Sequence, residues 1–486
     1  MSDSDEARLA ELGYEQELKR GLSAFDTIAL GFAGISPVVG LYAVVLVGTA
    51  VAGPAWIWVL PVALAGQCLL LAVYSELASE FPIAGGPYQW SRRLLGPGYG
   101  WFNGWVALCA YAAANTTIAY LGAPWLLTLL GIEAAPEAIV AAGFALVLVA
   151  AAIGALGIDL VAKVVRIGIL AEILASVGIA LTLLLVFRDQ DLSLLGETLG
   201  AEALSGGSTL AAMLAALAVG GWVFIGFDCA VGVAEETQDA ARHVPRAIWL
   251  ALLSVGVLVI SNAVAVTLAH PDPPGVVAGE DLDPVTTAVT SSFGTWSDKP
   301  FAVVVLCAFI ACSVAAQGVT ARMAYSMARD RIVPGSRWLA RVDRRGNPIG
   351  GISATAVVGC AGLLLGLEAT AVGSLITFGT AAIYVSFLMI AAAALLARLR
   401  GSWLPSGRFD LGRLGLPLNI AAVVWLAFET VNIAWPRESL SPPGAPFYQV
   451  WAAPLVLAVI LVVGVAYFAF GRTSAAAERS TAGSAG

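Results

Sequence analysis

Along this chain the apolar residues come in long unbroken runs. They lack the alternation of a half-buried strand and the one-sided stripe of a surface helix. A bilayer core about 30 Å thick needs roughly 20 apolar residues per helix. Twelve such runs are separated by turn and cap signals: 23–50, 54–78, 98–127, 136–156, 159–187, 208–233, 245–269, 300–327, 351–367, 371–397, 415–435 and 447–470. Gly53-Pro54 opens the second, Gly96-Pro97-Gly98 precedes the third and Pro436 stops the eleventh. The pattern predicts an all-α polytopic membrane protein with twelve transmembrane helices. Residues 1–20 form an acidic, polar tail without the basic start of a signal peptide. Residues 471–486, rich in Ala, Ser and Gly, are expected to be a disordered tail.

Lys and Arg set the orientation, because they collect on the cytoplasmic side. With a cytoplasmic N-terminus, 22 of the 25 cations fall in inside segments and only Arg188, Lys299 and Arg437 fall outside. One miscounted helix would invert every later loop, so the split supports twelve spans with both termini cytoplasmic. Hydrophobic residues make up 59% and charged residues 12% of the 486, against about 25% charged in soluble chains. That excludes a cytosolic enzyme, a disordered scaffold and a secreted disulfide domain. The excess of Arg over Lys, with abundant Ala and Gly, suggests a high-GC bacterial source and hence an inner-membrane location.

The six cysteines all lie in apolar runs without metal spacing and read as small buried hydrophobes. With only His243 and His270, no histidine metal site is expected. No Walker A motif is present, so no ATP drive is expected. Neither a cofactor nor nucleic acid is expected, and nothing in the sequence sets an oligomeric state.

Two runs carry their own interruptions. The first reads Gly31-Phe-Ala-Gly34-Ile-Ser-Pro37-Val-Val-Gly40 and the sixth reads Gly220-Gly221-Trp222-Val-Phe-Ile-Gly226-Phe-Asp228. Glycine weakens a helix by about 1 kcal/mol and an interior proline by ~3 kcal/mol. Breaks are expected at residues 34–37 and 225–227. Unpaired backbone is tolerated in lipid only where protein buries it or it lines a cavity. Breaks at corresponding places in two five-helix halves point to an inverted-repeat transporter with its site between them. The alternative is that these glycines only let helices pack closely.

Three motifs carry a family resemblance. Phe224-Ile-Gly-Phe-Asp228 is followed by Ala234-Glu-Glu-Thr237 and Val244-Pro-Arg-Ala-Ile248. Tyr74-Ser-Glu-Leu-Ala-Ser-Glu-Phe-Pro82 leads into Ala84-Gly-Gly-Pro-Tyr-Gln-Trp90. Ala328-Arg-Asp-Arg-Ile-Val-Pro334 follows the eighth run. In this order and at these helices they resemble the amino acid–polyamine–organocation (APC) superfamily over residues 20–470. Glu235-Glu236-Thr237 and Ile35-Ser36-Pro37 look most like its amino acid/choline branch, which includes GABA permeases.

The resemblance implies the leucine-transporter fold: a first repeat over 21–205, an inverted second over 206–400, and two further helices over 401–470. It implies secondary transport of a small amino acid or amine by alternating access, proton-coupled or by exchange. It also implies a substrate site at Gly34, Ile35, Ser36 and Val38 on the first helix and at Trp222, Phe224, Ile225, Gly226 and Phe227 on the sixth. Asn115 and Gln317 match contacts on the third and eighth. Trp222 and Phe224 are expected as apolar walls. The chain departs from the common Gly-Ser-Gly first break: Pro37 has no N–H, and Val38 and Val39 could donate to a carboxylate instead.

An acid at a helix centre costs roughly 2.5–3.5 kcal/mol and is usually functional. Glu172, near the middle of the fifth run, and Asp228, just past the sixth break, are the candidates for proton coupling. Each has a structural alternative, as a buried hydrogen bond or a tie to a neighbouring helix. Glu429, in the eleventh run, is expected to be structural. Glu76, Glu80, Glu235, Glu236 and Asp330 lie at cytoplasmic helix ends, where pairing with Arg92, Arg93, Arg242 or Arg246 could latch an inner gate. Asp26 lies too near a helix end to complete an aspartyl protease pair with Asp228. A channel would need a polar file that is absent from the sequence. A non-transporting amino acid sensor stays open.

Overall fold

The computed structural model describes residues 2–405, 407–441 and 444–483, with side chains described there except at 2–4, 369–376 and 470–483. Eleven helical stretches among them are long and apolar enough to cross a membrane. The first, Ala24–Glu80, has 57 residues. At 1.5 Å per residue that is about 85 Å, more than twice a bilayer core. The 3-10 turn Gly53–Trp58 divides it into two spans, so the twelve expected spans are present.

The third span, Pro97–Leu130, and the eighth, Asp298–Arg329, are longer than their apolar runs. The fifth, Ile158–Leu185, holds a π-helical segment at Leu174–Ile179. Short helices also occupy segments that hydropathy leaves unassigned, among them Gly86–Leu95, Pro273–Ala278 and Pro284–Phe293. They are too short to span. The last two start from aspartate caps, Asp272 and Asp283, each followed by proline at the first helical position.

The last helix, Ala452–Gly483, continues through most of the tail expected to be disordered. Ala475-Ala476-Ala477-Glu478-Arg479 are strong helix formers that prolong a helix already nucleated by the twelfth span. Residues 484–486 of that tail lie outside the described residues.

The first, third, sixth, eighth and tenth spans form the centre of the bundle. The most apolar window of the third span is 72% buried, that of the twelfth only 17%. The eleventh span packs outside the second and tenth, and the twelfth against the third and tenth. The second half of the first span, Pro37–Ala52, packs on Thr209–Gly220 of the sixth, and Ala24–Ile35 packs on Cys229–Gly232. The two spans therefore run antiparallel with their interruptions side by side.

Candidate functional site

The first break is narrower than expected. Gly34 and Ile35 remain helical, and the interruption is Ser36 alone, at φ +50°. Pro37 is the local cause, since it disfavours helical geometry in the residue before it. Ser36 serves both halves: its N–H donates to the Phe32 carbonyl at 2.8 Å and its Oγ accepts from the Val39 N–H at 3.1 Å. That bond occupies the Val39 amide, which had been a candidate carboxylate donor. The Ser36 hydroxyl donates in turn to the Glu172 carboxylate. Glu172 is fully buried, its second oxygen has no partner among the described residues, and the π-helical segment begins two residues later.

The sixth span passes from α-helix to a 3-10 turn at Gly221–Phe224, and residues 225–228 are not helical. Gly226 sits at φ +116°, a conformation that glycine adopts without steric cost. It is also the point of contact between the breaks. A Cβ on Gly226 would lie 2.2 Å from the Gly34 carbonyl oxygen, and one on Gly34 would lie 2.4 Å from the Gly226 carbonyl oxygen. Backbone meets backbone where the two helices open.

Beside this contact lies a chamber of about 40 Å³, room for two or three waters at ~10–15 Å³ each. Seven of the residues considered from sequence border it: Gly34, Ile35, Val39, Trp222, Ile225, Gly226 and Asp228. Eight further residues that the sequence did not single out for the site join them, among them Tyr111, Cys229, Cys312 and Ile383. Tyr111, from the third span, donates its hydroxyl to Asp228. Cys312 Sγ lies 3.6 Å from the Gly34 carbonyl, and Cys229 and Ile383 complete that wall. A single tyrosine in the alanine run 110–114 was the available signal for Tyr111.

Other candidates lie elsewhere. Ser36 and Glu172 sit behind the first break and do not border the chamber; neither do Val38 and Phe224, which are buried. Phe227 points away, its ring 5.4 Å from Tyr74 and 5.6 Å from Phe387. Asn115 faces Gly359 on the ninth span. Gln317 lines a neighbouring cavity of about 20 Å³ that shares the Cys229 wall, and both of its amide atoms lack partners among the described residues.

Side-chain clusters lie on either side of the breaks. On one side Tyr42, Trp125 and Phe301 form a triangle of rings with centroids 5.8–5.9 Å apart. On the other, arginine-rich side, the three sequence motifs converge on ion pairs. Arg322 grips Glu236, with Nη2 to Oε1 at 2.8 Å, and Arg329 holds Glu235 at 2.8 Å. Glu235 also accepts from the Ala84 N–H at 3.0 Å. Arg92 pairs with Asp330, Arg398 with Glu76 and Arg8 with Glu80. Of the four arginines expected to pair with these acids, only Arg92 does. Arg93, its neighbour in the same helical turn, donates instead to the Leu12 carbonyl at 2.6 Å, and the other acids are met by arginines of the eighth and tenth spans and by Arg8.

The N-terminal segment lies across this face. Leu22 bonds the backbone of Glu236 and Gln238, and the Tyr14 hydroxyl meets Asp330 at 2.9 Å beneath the Arg329 guanidinium. Burial, reinforced by the Asp330 carboxylate, pushes the Tyr14 hydroxyl above its usual range and keeps it protonated.

Comparison with known proteins places the chain in a family. The sequence profile described as "Amino acid permease" matches residues 22–465. The chain belongs to the amino acid permease family. It is a multi-pass membrane protein of a transporter family, not an enzyme. It is 26% identical to the amino-acid permease BAT1 homolog of Oryza sativa subsp. japonica, over 89% of this chain and 88% of that one. It is 23% identical to amino-acid permease BAT1 of Arabidopsis thaliana, over 96% and 95%. It is 26% identical to the mitochondrial cationic amino acid transporter 3 of Arabidopsis thaliana, over 82% and 65%. These relatives are plant proteins and lend no support to the bacterial source read from composition.

Proposed function

We propose that this amino acid permease is a secondary active transporter of a small neutral amino acid, working by alternating access around the chamber between the two breaks. The observation that carries the reading is the backbone contact of Gly34 and Gly226 beside a buried space lined from both interrupted helices. Freed carbonyls there accept from an ammonium group, and Asp228 adds a carboxylate. The remaining lining is largely apolar: Ile35, Trp222 and Ile225 favour a short aliphatic side chain. The residues 21–205 and 206–400 act as the two repeats that rock against each other, with both termini cytoplasmic as the 22-to-3 cation split supports. An apolar seal at one end and an ionic latch at the other suit two gates that open in turn.

Protons are the coupling ion in this reading. Glu172 bonds the residue at which the first helix breaks, so gaining or losing a proton changes the bond that ties the fifth span to the first. Protonation drives a switch only if it interacts differently with the two states. The test is uptake into proteoliposomes of GABA, neutral and basic amino acids, polyamines and choline, with and without a pH gradient. Glu172→Gln is expected to abolish gradient-driven accumulation while keeping substrate binding and some exchange. Accumulation like that of the wild type would make Glu172 structural.

A further inference from the structure

Outside the chamber lining, Glu429 of the eleventh span, Gly415–Ala434, is a fully buried carboxyl whose Oε1 has no hydrogen-bond partner among the described residues. Its Oε2 accepts only from Asn432 Nδ2, at 3.3 Å. Asn432 is held by Arg437, which donates at 2.5 Å to its carbonyl and to its Oδ1. The free Oε1 faces the joint of the sixth span, where helix tightens into the 3-10 turn. A Cβ on Gly221 would stand 3.3 Å from this oxygen and 3.1 Å from the Tyr384 hydroxyl. Both oxygens therefore converge on the same point of the backbone. Tyr384 donates to the Gly221 carbonyl at 3.1 Å and accepts from Gln67 Nε2 at 2.6 Å, and Gln67 Oε1 is also without a partner. Among the described residues, Tyr384 from the tenth span and Arg437 from the following loop are the titratable or charged groups facing Glu429. The second and sixth spans bring only Gln67 and backbone.

The donors are scarce. Tyrosine has one O–H, and it can serve one acceptor at a time. A neutral Glu429 is a modest acceptor, and the proton of Tyr384 stays on Gly221. An ionised Glu429 is much the stronger acceptor. It draws the Tyr384 O–H to itself and takes from the Gly221 carbonyl its side-chain partner, leaving only the backbone bond of the 3-10 turn.

We propose that Glu429 is a positioning residue for the sixth span: its protonation decides whether Tyr384 clamps the joint at Gly221, and so how freely Thr209–Gly220 moves beside the chamber. This rests on the reading of the chamber as a site between moving half-helices.

The test reads chamber opening without any substrate. Cys229 and Cys312, in the chamber wall, are labelled in the purified full-length chain with methyl methanethiosulfonate from pH 5.5 to 8.5. Rates are resolved by peptide mass spectrometry. The ratio of wild type to Glu429→Gln cancels the thiol's own ionisation. It is expected to be near one at pH 5.5 and to rise at least threefold by pH 8.5. The same comparison in a Tyr384→Phe background is expected to stay near one throughout. A flat ratio overturns titration of Glu429, and a rise that survives Tyr384→Phe overturns the clamp. If Glu429→Gln does not fold, the ratio of wild type to Tyr384→Phe replaces it. That ratio is expected to climb from a third or less toward one with pH, and a flat ratio again overturns the proposal. Labelling needs no transport, so a wild type that accumulates nothing would sink the transport reading separately.

Discussion

Replacing Glu236 with glutamine strands a guanidinium that is almost wholly enclosed. The Arg322 side chain is 8% exposed and that of Glu236 not at all. The two meet in a fork, and the remaining Arg322 nitrogen donates to the Gly318 carbonyl of its own helix at 3.0 Å. Breaking a buried pair by removing one partner typically costs about 3–5 kcal/mol, because the other charge stays buried. This pair ties the eighth span to the end of the sixth on the arginine-rich side, so the loss falls on the arrangement closed at that face. At about 1.4 kcal/mol per tenfold, the closed-to-open ratio should drop by roughly two to four orders of magnitude. Glutamine still accepts one hydrogen bond, which places Glu236→Gln toward the lower end.

The double variant Glu236→Leu with Arg322→Met removes both charges and both desolvation costs, and should recover most of the loss. The assay is labelling of Cys229 by an impermeant thiol reagent added on the arginine-rich side of oriented proteoliposomes. The single variant should label at least tenfold faster than the wild type, and the double variant within about threefold of it. A single variant as slow as the wild type, or a double variant faster than the single, would refute the idea that this pair holds the face shut.

Gly226→Ala is expected to force the two breaks apart, since its Cβ meets Gly34 backbone at 2.2 Å and its φ of +116° is unfavourable for an L side chain. Backbone strain and overpacking of about 1–3 kcal/mol each should appear as a lower melting temperature and lost uptake, and wild-type behaviour would disprove the close approach. Trp222→Ala enlarges the chamber and should weaken amino acid binding roughly tenfold or more with expression intact, measured by equilibrium binding to purified protein; on a buried aromatic contact worth a few kcal/mol, unchanged affinity would remove Trp222 from the site. Asp281 accepts from the Asp283 N–H at 2.8 Å and lies 2.9 Å from His270 Nε2. Burial alone would raise its carboxyl, but the Asp283 amide, Thr287 and His270 together hold it below the usual range. A lowered folded value means stability present above the ordinary carboxylate pKa of about 4 and lost as pH falls through the folded value. Hydrogen exchange in residues 272–283, corrected for intrinsic rates, should therefore stay slow down to about pH 4 and quicken below it. Quickening between pH 7 and 5 instead would contradict this assignment.

Features set by neighbouring residues were legible in the chain. Run length defined twelve spans, Gly and Pro marked both interruptions, and the motif ending in Asp228 led to the chamber wall. Proline at position 37 even explains why the first break shrinks to Ser36, although the extent of the break depended on how one serine could cap both half-helices.

Relations between distant residues were not legible. Tyr111 and Asp228 lie 117 positions apart, and Ser36 and Glu172 lie 136 apart. The acids near the arginine-rich end chose Arg322, Arg329 and Arg398 over arginines nearer in sequence. Asn115 and Phe227 sit on interrupted or polar-flanked helices yet turn from the chamber. The reason lies in the solvent. In water, an apolar stripe tells which face of a helix is inside. Lipid tails are as apolar as a leucine side chain, so a membrane helix is apolar on every face and its rotation leaves no trace in hydropathy. Each residue turns a helix by about 100°, so depth can be counted along the chain while direction is decided only when the helices pack.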